Sequence, residues 1–133
     1  MQAPKAIDIK ELIRSKNPKL LRFLPGFVLG YLRKTLHEKE LNAFIQAHGE
    51  LEGLEFCEAA VNYFQFKFDI KHIERIPKTG PIIIAMNHPL GGVDAMALIV
   101  ALKNHRKDLK FIVNDILTTI ENLNTYFVGI NKH

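Results

Sequence analysis

The chain has 133 residues, of which 47% are hydrophobic and 24% charged, and its formal net charge is +4. This balance is typical of a folded globular domain and excludes a disordered chain. No apolar run reaches the roughly 18 residues that a membrane-spanning helix needs, and the first residues lack the apolar stretch of a signal peptide. The single cysteine, Cys57, excludes an internal disulfide, which fits a reducing compartment. We therefore expect one domain that is not exported.

The positive charge is concentrated near the start of the chain. Residues 1–36 hold eight basic residues against two acidic ones, whereas the remaining 97 residues hold ten basic against twelve acidic. Helical patterns follow Asp8, which fits an N-cap, and resume after the break at Asn17-Pro18. Two interpretations of these basic helices with an apolar face stay open. They contact a membrane interface, or they cover the core of the domain.

Two further helices are predicted before the pattern changes. Glu38–His48 has apolar residues at helical spacing and is followed by Gly49, and Leu54–Tyr63 shows the same period. Residues 1–63 are therefore predicted to form a helical N-terminal segment that includes the candidate membrane contact.

From residue 64 onward the sequence predicts strands between helices. Phe64, Phe66, Phe68 and Ile70 alternate with polar residues, as in a strand with one exposed face. In all, four strands are predicted, at residues 64–70, 82–85, 109–113 and 126–130, with helices at 94–104 and 116–123. A strand, a crossover helix and a strand favour parallel pairing. The predicted fold class is α/β, an N-terminal helical segment followed by an incomplete, mostly parallel sheet with flanking helices.

The residues with the clearest chemical meaning lie in Pro81–Asp94, which reads PIIIAMNHPLGGVD. A short apolar run leads to His88, Gly91 and Gly92 allow a turn, and Asp94 fits the first turn of the next helix. A neutral imidazole removes a proton from a hydroxyl near pH 7, and a nearby carboxylate holds its ring. The free N–H groups of a helix start also suit an oxyanion or a phosphate. The pattern predicts an acid–base site at a strand–turn–helix junction.

This stretch resembles the first motif of the glycerolipid acyltransferases. The likeness is to the bacterial, hemolysin-like branch of the lysophosphatidic-acid acyltransferases, and it rests on Asn87-His88-Pro-Leu-Gly91-Gly92-Val-Asp94. The resemblance implies that His88 is the general base on the acceptor hydroxyl and that Asp94 pairs with His88. The family usually has four residues between them, whereas here there are five, which the two glycines accommodate as a wider turn. Asn87, Gly91 and Gly92 are expected to shape the turn and to meet substrate.

A second family motif has a glycine, two or three residues and then an arginine. Phe127–Lys132 resembles it, with Asn131 near the place of the arginine and Lys132 beside it, so Lys132 is a candidate substrate-binding residue. The third motif, Phe-Pro-Glu-Gly, and the proline-bearing fourth motif do not occur in the sequence. The resemblance covers about residues 70–133 and implies that residues 64–133 form the front half of a catalytic domain.

The resemblance also implies the reaction and its setting. A fatty acyl group passes from acyl-CoA or from an acyl carrier protein to the hydroxyl of a lysolipid, without a metal or a bound cofactor. The acceptor is 1-acyl-glycerol-3-phosphate or a lyso-aminolipid, and the protein is expected as a peripheral protein at the cytoplasmic face of the cell membrane. The unpaired edge of an incomplete sheet also favours self-association.

Other classes of function are less well supported by the residues. His88 and Asp94 offer two metal ligands, but no other His or Cys stands at ligand spacing. Neither G-x-G-x-x-G nor G-x-x-x-x-G-K-[ST] is present for a nucleotide. The basic residues lie in predicted helices and not on a strand face with interleaved aromatic residues of the kind that binds nucleic acid. Nucleic acid is therefore not expected as a partner. The alternative that stays open is a non-catalytic module that binds a membrane surface or a partner.

Overall fold

The structure, a computed structural model, describes residues 7–35, 37–87, 92–113 and 117–130. They form two compact units, Met1–Gly49 and Glu50–His133. Within the described residues the regular elements are six α-helices and two strands: α1 (Ile9–Lys16), α2 (Pro18–Phe23), α3 (Gly26–Thr35), α4 (Glu38–His48), α5 (Gly53–Tyr63), α6 (Gly92–Leu102), β1 (Phe111–Val113) and β2 (Phe127–Gly129). Short 3₁₀ turns lie at Ile73–Arg75, Leu117–Thr119 and Glu121–Leu123.

Capping residues set the helix boundaries of the first unit. The Asp8 carboxylate accepts hydrogen bonds from the backbone N–H groups of Lys10 and Glu11 at 2.8 and 3.2 Å, which confirms the predicted N-cap. Asn17 ends α1, and its side-chain oxygen accepts from the N–H of Leu20 at 3.0 Å to start α2. Pro18 stands at the first position of α2, where its missing N–H costs nothing.

Long-range polar contacts connect α1, α3 and α4. The Asn42 side chain exchanges two hydrogen bonds with the backbone of Ile7, at 2.7 and 2.8 Å. The Arg33 guanidinium lies 3.3 Å from Asp8 and 3.2 Å from Glu38. Among the described residues of this unit, those that are buried are Ile9, Phe44 and Ile45. No helix in the described part of the chain has both the length and the hydrophobicity to cross a lipid bilayer.

Replacing Asp8 with alanine is expected to lower the free energy of unfolding by about 1 kcal/mol, because two N–H groups of α1 lose their acceptor. The same hydrogen bonds, above all that from Glu11, lower the pKa of Asp8 in the folded chain. The stabilisation is therefore present above the ordinary carboxylate pKa and is lost as the pH falls through the lowered folded value. Urea unfolding at neutral and acidic pH measures both effects. Asp69→Ala, an exposed carboxylate outside any helix, is the control; an equal loss in both variants would contradict the capping role.

The second unit is built on α5 packed against α6. Its buried apolar side chains come mostly from these helices: Phe56, Cys57, Ala60, Val61, Ala95, Met96, Ile99 and Leu102. The side-chain amide of Asn122 donates to the carbonyl of Leu51 at 2.7 Å and fixes the start of the unit. The strands β1 and β2 pair in parallel, with Phe111 opposite Phe127 and their rings edge to face. Helices around a small parallel sheet confirm the predicted α/β class with an incomplete sheet.

The predicted strand at residues 64–70 is wrong. Gln65 adopts a left-handed conformation with φ of 54°, and the N–H of Phe66 donates to the carbonyl of Val61 at 3.0 Å. This bond closes the C-terminal turn of α5, so Phe64 and Phe66 finish a helix and stack on each other, with ring centroids 5.6 Å apart. The rest of the segment, to Ile70, has no strand structure.

The predicted buried strand at residues 82–85 is also wrong. These residues form no ladder, and the Ile83 side chain is 98% exposed. The strand expected to follow α6 does form, as β1, but its parallel partner is β2 and not the segment before α6. An apolar run becomes a buried strand only when neighbouring strands accept its hydrogen bonds. Within the described residues the sheet consists of β1 and β2 alone.

Candidate active site

The predicted site residues divide between described and undescribed parts of the chain. Asn87 is exposed at the end of the segment 81–87, Gly92 is the first residue of α6, and Asp94 is half-buried in the first turn of α6. The other three lie outside the described residues: His88, Gly91 and Lys132. The predicted contact between His88 and Asp94 therefore stays a prediction. The structure therefore describes the residues on both sides of the predicted turn but not the turn itself.

The start of α6 carries an acidic residue where the helix dipole favours one. Asp94 is the acidic residue of the first turn, where a carboxylate interacts favourably with the helix dipole. A β-carbon on Gly92 would lie 3.5 Å from a methyl group of Leu117, which is an ordinary contact. Space alone therefore does not require glycine at position 92, and any requirement there comes from the turn or from substrate.

The glycine of the second predicted motif has a clear packing reason. Gly129 ends β2, and a β-carbon there would lie only 2.8 Å from the side-chain methyl of Thr118. Any larger residue would require the Thr118 side chain to shift. Leu117, of the same 3₁₀ turn as Thr118, lies close to Gly92, so the turn is near both the start of α6 and the end of β2. The two predicted motif regions thus share one neighbour.

The sequence analysis missed a buried arginine just after α6. Arg106 is 8% exposed, and its guanidinium donates to both oxygens of Asp108, at 2.6 and 2.8 Å. It also donates to the backbone carbonyls of Pro77, at 2.9 Å, and Gly80. Gly80 has φ of +83°, a conformation that side chains other than glycine rarely adopt. Arg106 therefore fixes a tight turn that immediately precedes the segment 81–87.

His105 strengthens the same anchor. Its Nε2 lies 2.6 Å from the carbonyl oxygen of Ile76, and since a carbonyl only accepts, Nε2 must carry the proton. The backbone N–H groups of His105 and Arg106 both donate to the carbonyl of Leu102 at 2.8 Å, which ties the pair to the last turn of α6. We call this group, His105, Arg106 and Asp108 with the carbonyls of residues 76, 77 and 80, the arginine clamp.

The clamp and the predicted motif lie at opposite ends of α6. An eleven-residue helix is about 16 Å long. The chain leaves the clamp at Gly80, and it must return along that length to enter α6 at Gly92. The clamp therefore fixes one end of the segment that contains Asn87, and α6 fixes the other.

The hydrogen bonds between Arg106 and Asp108 lower the pKa of Asp108 and raise that of Arg106, so the pair is charged at neutral pH.

A cavity of the second unit lies apart from the described residues of the predicted site. It has a volume of about 90 Å³ and lies beyond the C-terminal half of α6, lined by Leu54, Ile99, Lys103, Arg106, Lys107, Leu109 and Tyr126. Cavities that enclose drug-sized ligands usually measure about 300 Å³ or more, so a fatty acyl chain does not fit here. Asn87, Gly92 and Asp94 do not line this cavity.

Cys57 has no nucleophilic character in this structure. It is fully buried in α5, and desolvation, followed by the nearby negative charge of Glu58, raises its pKa to about 12. A thiol reacts as a thiolate, which this environment suppresses. Among the described residues, no group of three or more His, Cys, Asp or Glu side chains lies where it could hold a metal ion.

Comparison with known proteins extends the sequence evidence beyond these motifs. Residues 11–133 match the sequence profile of a family described as acyltransferase. A protein of Bacteroides thetaiotaomicron named lyso-glycine lipid O-acyltransferase is 38% identical over 127 residues, which cover 95% of this chain and 47% of that protein. A protein of Phocaeicola vulgatus with the same name is 35% identical over 127 residues, covering 95% of this chain and 46% of that protein.

The chain thus spans about half the length of the curated relatives it matches. No solved structure matches it significantly. The matched region runs from the first half of α1 through β2 and so covers most of the first unit and the second unit.

Proposed function

This chain belongs to the acyltransferase family, and on that premise we propose that it carries the front half of a catalytic domain that acylates a lysolipid. The single observation that carries the proposal is the match of residues 11–133 to that family, together with two relatives named for lysolipid O-acylation. The placement of Asp94 in the first turn of α6 supports it, because the resembled motif has an acid a few residues after its base, and Asp94 follows His88 with five residues between them.

The proposed reaction needs one base and no covalent intermediate on the protein. His88 removes the proton from the acceptor hydroxyl, and the oxygen attacks the carbonyl carbon of the acyl thioester. The bond from carbon to sulfur breaks, and the leaving thiolate takes the proton from the imidazolium. Asp94 holds the imidazole and stabilises its charge during transfer. Backbone N–H groups at the start of α6 suit the oxyanion that develops on the carbonyl oxygen.

The acceptor is proposed to be a lyso-aminolipid of the lyso-glycine lipid type. Both relatives carry that substrate in their names. In addition, Asn131 stands near the place where the resembled motif has an arginine, so one cation that would meet the phosphate of 1-acyl-glycerol-3-phosphate is replaced. The proposed donor is acyl-CoA or an acyl carrier protein thioester. Since a lysolipid resides in a bilayer, the protein is proposed to act at the cytoplasmic face of the membrane, as a peripheral protein.

An acyl-transfer assay tests this proposal. A labelled acyl thioester, with either carrier, is supplied with lyso-glycine lipid or with 1-acyl-glycerol-3-phosphate, and lipid products are separated by mass. The assay compares this chain, the Bacteroides relative, and a chimera in which this chain replaces the matching 127 residues of that relative. We expect the chimera to acylate lyso-glycine lipid in preference to the phosphate-bearing acceptor. A folded chimera without transfer to either acceptor, beside an active relative, would favour the non-catalytic binding module.

A further inference from the structure

Two consecutive helices of the first unit expose their large apolar side chains. In α2 and α3 no residue is buried, and Phe23, Phe27 and Tyr31 are 82%, 79% and 67% exposed. Leu20, one turn before Phe23, is also exposed. Phe27 and Tyr31 are four residues apart on one helix and therefore share a face. Three strongly exposed aromatic rings within nine residues are apolar surface of the kind that marks an interaction site.

The charged residues of this stretch of the sequence have a single sign. Between Glu11 and Glu38 the sequence contains no Asp or Glu, but it contains six Lys or Arg residues. Arg33 forms ion pairs with Asp8 and Glu38. Three others have no ion-pair partner among the residues that the structure describes: Lys19, Arg22 and Lys34. We call this surface, Leu20, Phe23, Phe27 and Tyr31 with Lys19, Arg22 and Lys34, the aromatic–basic face.

We propose that the aromatic–basic face binds the surface of an anionic lipid bilayer. The rings insert at the level of the headgroups, and the long basic side chains reach the lipid phosphates. Aromatic residues favour this interface, and Lys and Arg near an anionic surface each add attraction that salt screens. This binding extends the proposed function, since a lysolipid acceptor lies in such a surface. Its evidence is nevertheless separate, because it comes from exposure and charge alone.

The charge of the face also argues against a second copy of this chain as its occupant. In a symmetric dimer the same patch meets itself, so the unpaired cations of both copies would face one another across an apolar contact. Such like charges are repelled when they are desolvated. An anionic bilayer instead supplies the opposite charge and an apolar layer together. Charge complementarity therefore favours an anionic bilayer over a second copy of the chain as the occupant of this face.

The test is vesicle flotation with the purified chain, without any acyl donor or acceptor. Vesicles of phosphatidylcholine with phosphatidylglycerol are compared with vesicles of phosphatidylcholine alone, at low and at high salt. The chain is expected to float with the anionic vesicles at low salt and to be released at high salt. The triple variant Phe23→Ser, Phe27→Ser, Tyr31→Ser and the triple variant Lys19→Gln, Arg22→Gln, Lys34→Gln should each weaken binding by about tenfold or more.

Matched controls remove exposed residues of the same kinds elsewhere on the chain. Phe68→Ser, Ile70→Ser and Ile83→Ser together delete three exposed apolar side chains, and Lys39→Gln, Lys67→Gln and Lys78→Gln delete three exposed cations. Both control variants should float as the parent chain does. Circular dichroism shows whether each variant keeps its helices, which is expected because every changed residue is exposed.

Three outcomes would overturn the proposal. In the first, both face variants bind anionic vesicles as tightly as the parent chain. In the second, the parent binds neither type of vesicle. In the third, sedimentation equilibrium finds a dimer that the aromatic variant makes monomeric, so that a second copy covers the face. Because the measurement is binding alone, a loss of flotation with retained acyl transfer by the chimera would reject the lipid-binding face and leave the proposed function intact.

Discussion

Replacing His88 with alanine in the active chimera is expected to lower the rate of acyl transfer by about 10²- to 10⁴-fold. The acceptor hydroxyl then has no base to take its proton as the oxygen attacks the thioester. The loss should appear in kcat, with KM for the lysolipid little changed, because the imidazole acts in the transition state and contributes little to binding. Initial rates over a range of acceptor concentrations separate the two constants.

Two companion variants make the result specific. Asp94→Asn keeps the size of the side chain in the first turn of α6 but removes the negative charge that stabilises the imidazolium, so kcat should fall while the helix is retained. His72→Ala removes an exposed histidine whose contact is with Glu74, and it should leave both constants unchanged. Turnover by His88→Ala at the parent rate would contradict the mechanism. A rise in KM alone would instead make His88 a binding residue.

The helices could be predicted because their signals are local. Asp8 caps α1, Asn17-Pro18 separates α1 from α2, and α4 runs from Glu38 to His48 as the pattern indicated. Each of these boundaries depends on hydrogen bonds within four residues of the cap. The position of Asp94 in a first helical turn was predictable for the same reason.

Two of the strand predictions failed, for different reasons. Alternation at residues 64–70 satisfies the two-residue period of a strand, but the bond from Phe66 to Val61 commits the start of that segment to the end of α5. For Ile82 and its neighbours the apolar run says nothing about which strand would pair with it. By contrast, β1 and β2 were predicted as strands, and they pair with each other in parallel.

The arginine clamp shows the same limit at the candidate site. In the sequence, His105-Arg106-Lys107-Asp108 is a polar stretch after a helix, which usually indicates a solvent-exposed loop. Its one local signal is the two-residue spacing of Arg106 and Asp108, which allows a bidentate ion pair. The carbonyls that Arg106 binds are 29 and 26 residues away, so no local pattern indicates them.

Arg106→Met is expected to lower the melting temperature of the chain by about 10 °C, because it leaves two backbone carbonyls without their donor. Arg106→Lys should restore only part of this loss, since an ammonium group cannot reproduce the planar fork that binds Asp108 and both carbonyls together. Lys107→Met, at the exposed neighbouring position, is the control and should melt as the parent does. Thermal unfolding followed by circular dichroism measures all three.

The pH dependence of stability distinguishes the contribution of the Arg106–Asp108 ion pair from that of the carbonyl contacts. Because Arg106 lowers the pKa of Asp108 in the folded chain, the pair stabilises the fold above the ordinary carboxylate pKa and ceases to do so as the pH falls through the lowered value. Asp108→Asn should therefore melt below the parent at neutral pH and approach it in acid, whereas Arg106→Met should remain less stable at both.

In the chimera, a clamp that only stabilises the fold would leave kcat unchanged in Arg106→Lys at a temperature where the protein is folded. We expect kcat to fall there with KM retained, because the turn at Gly80 fixes one end of the segment that delivers Asn87 and the predicted base.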